Sequence, residues 1–197
     1  MRDNPHVAGV DDETDAFLTT RLADSALIGQ DHFLLTPEES GAIRAYAYNF
    51  FEQINSALWD GGERSPLVAR YIDLIRSGLA KYPLPEQVRV TREAVAADFG
   101  IVDEESAYAL VEEEIRHRGF MSTCGLAYPP RSVRHRPAVI VDLIVPAGTP
   151  ALRLGDLATV KEEREVLLID ARSYFISGVE WDEARSMWRI QGFVREA

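Results

Sequence analysis

The sequence of 197 residues has a single cysteine, Cys124, so no disulfide can form within the chain and nothing indicates an oxidising compartment. Its four histidines show no spacing typical of metal ligands, and no metal is expected. No stretch is long and apolar enough to span a membrane, and the polar N-terminus lacks the apolar core of a signal peptide. The expected location is the cytoplasm, or a place reached by a non-classical or specialised secretion route.

Positive charge is also scarce, because 32 acidic residues face 21 basic ones and the net charge is -11. A nucleic-acid backbone and an anionic membrane are therefore poor electrostatic partners. Apolar residues make up 46% of the chain, which is enough for one domain with a sizeable core. The acidic runs at 103–105 and 112–114 are expected to be solvated faces.

Helices are predicted mainly in the first half of the chain. Residues 1–14 are polar and acidic and are expected to be a loose tail, followed by a short helix over 15–28. Thr36-Pro37-Glu38-Glu39 has the pattern of a capping box and begins a helix that Gly61-Gly62 should end. Ser65-Pro66 begins another helix in the same way, and a fourth helix is predicted over 94–117.

Strands are predicted from residue 87 onward, on both sides of the helix over 94–117, where the apolar period approaches two. The predicted strands cover 87–92, 120–124, 139–145, 151–154, 165–170, 173–180 and 187–195, with the last two joined by a hairpin turn at 181–183. Helices followed by strands predict an α+β fold with a largely antiparallel sheet system.

Polar residues mark three of the predicted strands. Arg92 closes the first one, Ser122-Thr123 lies in the second, and Glu163 and Glu165 precede the apolar run Val166-Leu167-Leu168. Residues two apart in a strand share a face, so the two carboxylates are expected to point the same way. Taken singly, each residue is better explained without a site, as a surface arginine, a strand hydroxyl or part of a charged turn. Together, they predict one cleft.

The order of these motifs resembles that of the mono-ADP-ribosyltransferase toxins of the clostridial type, which carry an Arg, a Ser-Thr-Ser and a Glu-x-Glu. The likeness runs from about Leu35 to the C-terminus, and it includes the spacing of Tyr46, Phe51 and Asn55 in the capped helix. The resemblance implies two roughly perpendicular, antiparallel-rich sheets that form an NAD cleft flanked by N-terminal helices. It divides the chain into an N-terminal tail and short helix, 1–34, and a catalytic domain, 35–197.

The resemblance also implies a role for each residue. Glu165 would stabilise the positive charge that builds on the ribose as nicotinamide leaves, Ser122 would hold Glu165, and Glu163 would polarise an arginine of a protein acceptor. Arg92 would clamp a phosphate with its planar guanidinium. The other implied NAD contacts are Glu93, Thr123, Tyr46, Asn55 and Arg136. Phe51 is expected to be a core residue and not an NAD contact.

Three functions stay open at this point. The first is an arginine-specific ADP-ribosyltransferase, a toxin or effector that an inhibitor or immunity protein accompanies. The second is an NAD glycohydrolase, in which water replaces the acceptor, because the turn at 157–161 lacks the aromatic that many relatives use to hold a target. The third is a non-enzymatic binding relative. Cys124 stands where the family pattern has its second serine.

Overall fold

The computed structural model describes residues 16–60, 64–131 and 136–195. The helices are α1 (Ala23–Ala26), α2 (Pro37–Ala45), α3 (Phe51–Asp60), α4 (Pro66–Ala80) and α5 (Glu104–Tyr108). The strands are β1 (Val88–Val95), β2 (Glu114–His117), β3 (Met121–Cys124), β4 (Ala138–Val145), β5 (Ala151–Arg153), β6 (Glu165–Leu168), β7 (Arg172–Asp182) and β8 (Met187–Val194). The predicted tail, 1–14, and the predicted helix end at Gly61-Gly62 lie outside the described residues.

The eight strands form one hydrogen-bonded sheet in the order β2-β7-β8-β4-β1-β3-β6-β5. All pairs are antiparallel except β4 with β8, so the predicted α+β class with a largely antiparallel sheet is confirmed. Two groups of strands meet between β1 and β3, where a single register pair, Thr91 with Cys124, joins them. By contrast, β1 and β4 are paired along their whole length, from Val88 opposite Val145 to Val95 opposite Ala138.

Helices α2 and α4 both begin where the sequence predicts, and the cap of α2 also joins the two helices. The Thr36 hydroxyl accepts from the backbone N–H of Glu39 at 3.2 Å, and the Glu39 carboxylate accepts from the N–H of Thr36 at 2.8 Å. Such a cap contributes about 1 kcal/mol. Glu39 is buried and also accepts from Ser77 at 2.7 Å and from Lys81 at 2.6 Å, both on the α4 side, so the cap joins the two helices.

Between α2 and α3 the backbone forms a π-helical turn, Tyr46–Phe50, which the sequence analysis did not predict. Such turns are frequent at functional sites. The apolar faces of α2, α3 and α4 cover the face of the sheet that carries Phe120, Leu152 and Leu167. This packing places the π-helical turn beside β3 and β6.

A buried ion network, absent from the sequence predictions, stiffens the other group of strands. Asp142 of β4 is fully buried and accepts from Arg89 of β1 at 2.6 and 2.8 Å and from Arg189 of β8 at 2.6 Å. Arg189 donates in turn to Asp182 of β7 at 2.8 Å. Removing one partner of a buried pair typically costs about 3–5 kcal/mol, so this network holds β1, β4, β7 and β8 together.

Four predictions of secondary structure were wrong. The helix over 15–28 is replaced by one helical turn at 16–19 and by α1, because Leu22 between them forms a β-bridge with Arg89. The first strand continues to Val95, so Arg92 lies inside β1 and not at its end. The hairpin turn lies at 183–186, because β7 extends through Asp182.

The helix predicted over 94–117 is the largest of these errors. Beyond β1 the chain forms a 3-10 turn that ends at Gly100, whose φ of +69° is readily adopted by glycine. Asp103 then caps only the short α5 through Ser106. Residues 114–117 pair with β7 as the edge strand β2, so pairing with a distant segment outweighs the local helix propensity of the acidic run.

Candidate active site

Eight of the nine candidate residues line one cleft of about 480 Å³, a volume in the usual range of ligand pockets. The cleft lies where the two groups of strands meet, between the π-helical turn and the β3–β6 pair. The candidates in its wall are Tyr46, Asn55, Arg92, Glu93, Ser122, Thr123, Glu163 and Glu165. Other lining residues, which the sequence analysis did not assign to the site, include Ala47, Glu52, Pro129 and Pro130.

Ser122 and Glu165 form the most defined contact in the cleft. Cys124 lies opposite Glu165 in the β3–β6 register, and Ser122 is its diagonal neighbour on the same face. The Ser122 hydroxyl donates to Glu165 Oε1 at 2.7 Å. Glu165 begins β6 and is only 9% exposed, so its carboxylate is held in one place by strand pairing and by this hydrogen bond.

Three influences act on the acidity of Glu165. Burial raises the pKa of its carboxyl, the hydrogen bond from Ser122 lowers it, and the charge of Glu163 raises it, with a net increase over the ordinary value. Burial also raises the pKa of the Cys124 thiol, which accepts from the N–H of Leu126 at 3.4 Å and lies in the cleft wall. Thus the thiol is a poor nucleophile at neutral pH.

Glu163 reaches the cleft in a different way from the one predicted. It ends a 3-10 turn, Lys161–Glu163, and Arg164 follows it with a φ of +49°, so Glu163 is not in the strand and the i, i+2 argument does not apply to it. It is exposed, whereas Glu165 is buried. The two carboxylates nevertheless line the same cleft, because the chain turns back at Arg164.

Arg92 lies in the middle of β1 and faces the same cleft, half-buried. Among the residues that the structure describes, its guanidinium has no hydrogen-bond or ion-pair partner. Burial and the charge of Arg92 lower the pKa of His117 to about 4, so His117 is neutral at physiological pH. A guanidinium aimed at a cleft without a protein partner is suited to an anionic ligand.

Tyr46 and Asn55 use their polar atoms on the backbone of Phe120. The Tyr46 hydroxyl donates to the Phe120 carbonyl at 3.1 Å, and Asn55 accepts from the Phe120 N–H at 3.0 Å while donating to the Tyr46 hydroxyl at 3.1 Å. A Cβ at Gly119 would lie 2.6 Å from Asn55 Oδ1, so glycine permits this approach. The two side chains therefore fix the chain two residues before Ser122.

His117 contacts the same carbonyl, with Nε2 3.3 Å from the oxygen of Phe120. His117 is not among the predicted site residues, because 94–117 was predicted to be a helix. The alternation of Glu114-Ile115-Arg116-His117 before Gly119 was the available signal, and it is typical of an edge strand.

Two predicted NAD contacts are placed differently from the rest. Thr123 is buried and donates to the Val166 carbonyl at 2.6 Å, so its hydroxyl stabilises the β3–β6 pair. Arg136 lies outside the cleft, in a second cavity with Arg131, Trp181 and Arg185, so the structure does not bring it to the other eight residues. The reason is that residue 136 lies just before β4, whose first residue, Ala138, pairs with Val95 at the end of β1, beyond Arg92.

Comparison with known families agrees with this geometry. The sequence profile of the ADP-ribosyltransferase exoenzyme family matches residues 18–190. The chain belongs to this family. A search of the curated proteins finds no match.

Solved structures of ADP-ribosyltransferase toxins share the fold. Plx2a, an ADP-ribosyltransferase toxin from Paenibacillus larvae, is 23% identical with a TM-score of 0.71, over 82% of this chain and 88% of that one. C3stau2 from S. aureus, solved with NAD, is 16% identical with a TM-score of 0.73, over 100% and 99% of the chains. The C3 exoenzyme of Clostridium limosum is 16% identical with a TM-score of 0.71, over 99% and 98%. The predicted ADP-ribosyltransferase-like fold is confirmed.

The ligand in the solved structure of C3stau2 is NAD. Within the described ranges, no group of three or more His, Cys, Asp or Glu side chains is arranged to hold a metal ion. In the same ranges, no helix is both long enough and apolar enough to cross a membrane.

Proposed function

We propose that this protein is a mono-ADP-ribosyltransferase that cleaves NAD in the cleft and transfers ADP-ribose to an arginine of a protein acceptor. The observation that carries the proposal is the 2.7 Å hydrogen bond from Ser122 to the buried Glu165, in a cleft that the guanidinium of Arg92 also lines. Membership of the ADP-ribosyltransferase exoenzyme family supports the reaction class.

Glu165 supplies the main electrostatic stabilisation. As the bond between nicotinamide and ribose breaks, positive charge develops on the ribose, as it does in glycoside hydrolysis. A carboxylate that is already oriented stabilises this charge without reorganising at the moment of reaction. Strand pairing and the Ser122 hydrogen bond give Glu165 that orientation, and burial limits its competition with water.

Arg92 binds the diphosphate. Its planar guanidinium makes paired hydrogen bonds to phosphate oxygens, and the rigid group of β1, β4, β7 and β8 fixes its position. Tyr46, Asn55 and His117 act one step further away, because they hold Phe120 and so the strand that carries Ser122.

Glu163 acts on the acceptor. An arginine side chain is protonated in water and is a poor nucleophile until a carboxylate polarises it. Glu163 is exposed at the mouth of the cleft, on the turn that a bound protein would meet first. The Thr159 hydroxyl, just before this turn, donates to the Ala47 carbonyl at 3.3 Å. The bond joins the segment to the π-helical turn, where Tyr48 is exposed.

NAD glycohydrolysis is a second candidate, and one observation favours it. Among residues 157–161, the exposed apolar side chain is Val160, with no aromatic that would hold a protein target. Incubation of the protein with labelled NAD and a cell lysate separates the two functions. Transferase activity predicts a labelled protein band that added agmatine competes away. Free ADP-ribose without a labelled band would support glycohydrolysis. If NAD is not consumed and no protein is labelled, both functions are overturned.

A further inference from the structure

The relative position of Arg92 and Glu165 depends on a narrow connection in the sheet. Arg92 belongs to β1 and Glu165 to β6, on opposite sides of the contact between β1 and β3. That contact has one register pair, whereas β1 and β4 share eight. Apart from that pair, the Thr91 hydroxyl donates to the Leu126 carbonyl at 2.7 Å, so few hydrogen bonds join the two groups of strands directly. An element that crosses this connection therefore adds to what fixes the width of the cleft.

Residues 17–32, here called the N-terminal strap, cross this connection. Their first part is attached to β1, since the backbone N–H of Arg89 donates to the Arg21 carbonyl at 2.8 Å and Arg89 Nη1 donates to the Phe17 carbonyl at 2.6 Å. Leu22 forms a parallel β-bridge with the same residue. Arg89 is three positions from Arg92 on the same strand, so this end of the strap is fixed to the strand that carries Arg92.

The second part of the strap is attached to the other group of strands. The backbone N–H of Asp24 donates to the Gly125 carbonyl at 3.0 Å, directly after β3. The Asp24 carboxylate accepts from Arg153 of β5 at 2.9 Å from Nε and 2.8 Å from Nη2. Gln30 accepts from the N–H of Arg153 at 2.7 Å and strengthens the attachment to β5.

These two attachments lie on either side of Glu165. On one side, Cys124 is the register partner of Glu165, and the N–H of Gly125 donates to the Arg164 carbonyl at 2.9 Å. On the other side, the N–H of Leu154, next to Arg153, donates to the Glu165 carbonyl at 2.9 Å. Asp24 therefore bonds to Gly125 and Arg153, which lie on the two segments that flank Glu165.

The contact at Gly125 is too close for any other residue. A Cβ at this position would lie 2.5 Å from the backbone nitrogen of Asp24, which real structures do not tolerate. A side chain at position 125 would therefore displace the strap or β3. The charge of Asp24 also contributes to the raised pKa of Cys124, although burial is the main cause.

We propose that Asp24 is a positioning residue for Glu165, and that the strap sets the alignment of Glu165 with Arg92 across the β1–β3 contact. This inference rests on the proposed function, in which Glu165 acts in the transition state and Arg92 binds the diphosphate. Loss of the Asp24 carboxylate then affects turnover and spares NAD binding, because Arg92 keeps its own support in β1 and β4.

Steady-state nicotinamide release and calorimetric NAD binding test the proposal on four proteins. Asp24→Ala is expected to lower kcat at least ten-fold and to leave the Kd for NAD within two-fold. Asp24→Asn keeps an oxygen for Arg153 and is expected to recover kcat to within three-fold of the parent. The matched control is Glu86→Ala, which removes an exposed ion pair of 2.7 Å between Glu86 and Arg21, at the β1 end of the strap. This variant is expected to change neither kcat nor the Kd for NAD.

Amide hydrogen exchange gives a readout independent of activity. Asp24→Ala is expected to speed exchange in residues 151–154 and 163–168 and to leave residues 187–194 of β8 unchanged. A kcat within two-fold of the parent, an equal loss of NAD affinity, or uniformly faster exchange would overturn the proposal. If the parent releases no nicotinamide, the proposed function is wrong, and the exchange experiment still decides whether Asp24 holds β6.

Discussion

Glu165 and Glu163 are two positions apart and line the same cleft, but the chain holds them in different ways. Glu165 begins a fully buried strand, accepts a hydrogen bond from Ser122 and is 9% exposed. Glu163 ends an exposed 3-10 turn, and the following residue adopts a positive φ. A fixed carboxylate suits a charge that always develops at the same place, and an exposed one suits an acceptor that arrives from solution.

The largest effect is expected from removing the fixed carboxylate. Glu165→Gln keeps the shape of the side chain and loses its charge, so nicotinamide release should fall by about 100- to 1,000-fold, the range for one preorganised electrostatic group. NAD affinity should stay within a few-fold, because the lost interaction belongs to the transition state. The measurement is steady-state nicotinamide release with calorimetric NAD binding as the control. Turnover within ten-fold of the parent would contradict a central role for Glu165.

The next largest effect concerns Arg92 on the opposite wall. Arg92→Ala should weaken NAD binding by about 1.5–3 kcal/mol, or roughly 10- to 150-fold, the range for hydrogen bonds to charged groups. Arg116→Ala is the matched control, because Arg116 is an exposed arginine on β2 that does not line the cleft. If calorimetry showed the same NAD affinity for both variants, Arg92 would not bind the diphosphate.

Ser122→Ala tests how Glu165 is held. The loss of one hydrogen bond to a charged group should lower kcat/KM about ten-fold, or roughly 1.4 kcal/mol. The Ser122 hydrogen bond lowers the pKa of Glu165, so its removal should move the acid limb of the pH–rate profile to higher pH. Glu163→Gln should move the same limb to lower pH, because the charge of Glu163 raises that pKa. Ser177→Ala on β7 is the control, and an unchanged limb in Ser122→Ala would contradict this account.

The smallest effect is expected at Cys124, the register partner of Glu165. Its buried thiol accepts a hydrogen bond from Leu126, and a serine hydroxyl can accept the same bond. Cys124→Ser should therefore retain nicotinamide release to within about three-fold, because burial has already made the thiol unreactive. An inactive variant that still binds NAD and melts like the parent would show that the thiol takes part in the reaction.

Local signals explain what the sequence predicted correctly. The capping box at Thr36, the N-terminal proline of α4 and the apolar strands β4 and β6 depend on neighbouring residues, and the structure has all of them. The order of the Arg, Ser-Thr and Glu-x-Glu motifs along the chain was sufficient to predict the family. The structure brings eight of the nine candidates into one cleft.

Contacts between distant segments explain the rest. Residues 114–117 follow an acidic run that favours a helix, but their pairing with β7 decides their structure. The prediction for Glu163 extended β6 by two residues, and the left-handed conformation of Arg164 has no signal in a sequence without glycine at that position. The roles of Asp24 and Asp142 depend on partners at least 47 positions away, so no local pattern could reveal them. His117 was missed because its strand was assigned to a helix.

The two carboxylates are expected to have separate tasks, Glu165 in the cleavage of NAD and Glu163 in the activation of the acceptor. The most direct measurement is one assay with two readouts, nicotinamide released and ADP-ribosylated agmatine formed, applied to the parent, Glu163→Gln, Glu165→Gln and Glu162→Gln. Glu162 is an exposed neighbour on the same turn that does not line the cleft, so its variant should behave like the parent. Glu163→Gln should lose agmatine modification and keep slow nicotinamide release, whereas Glu165→Gln should lose both. Equal loss of both readouts in Glu163→Gln would contradict the separation of tasks and remove the support for an arginine acceptor.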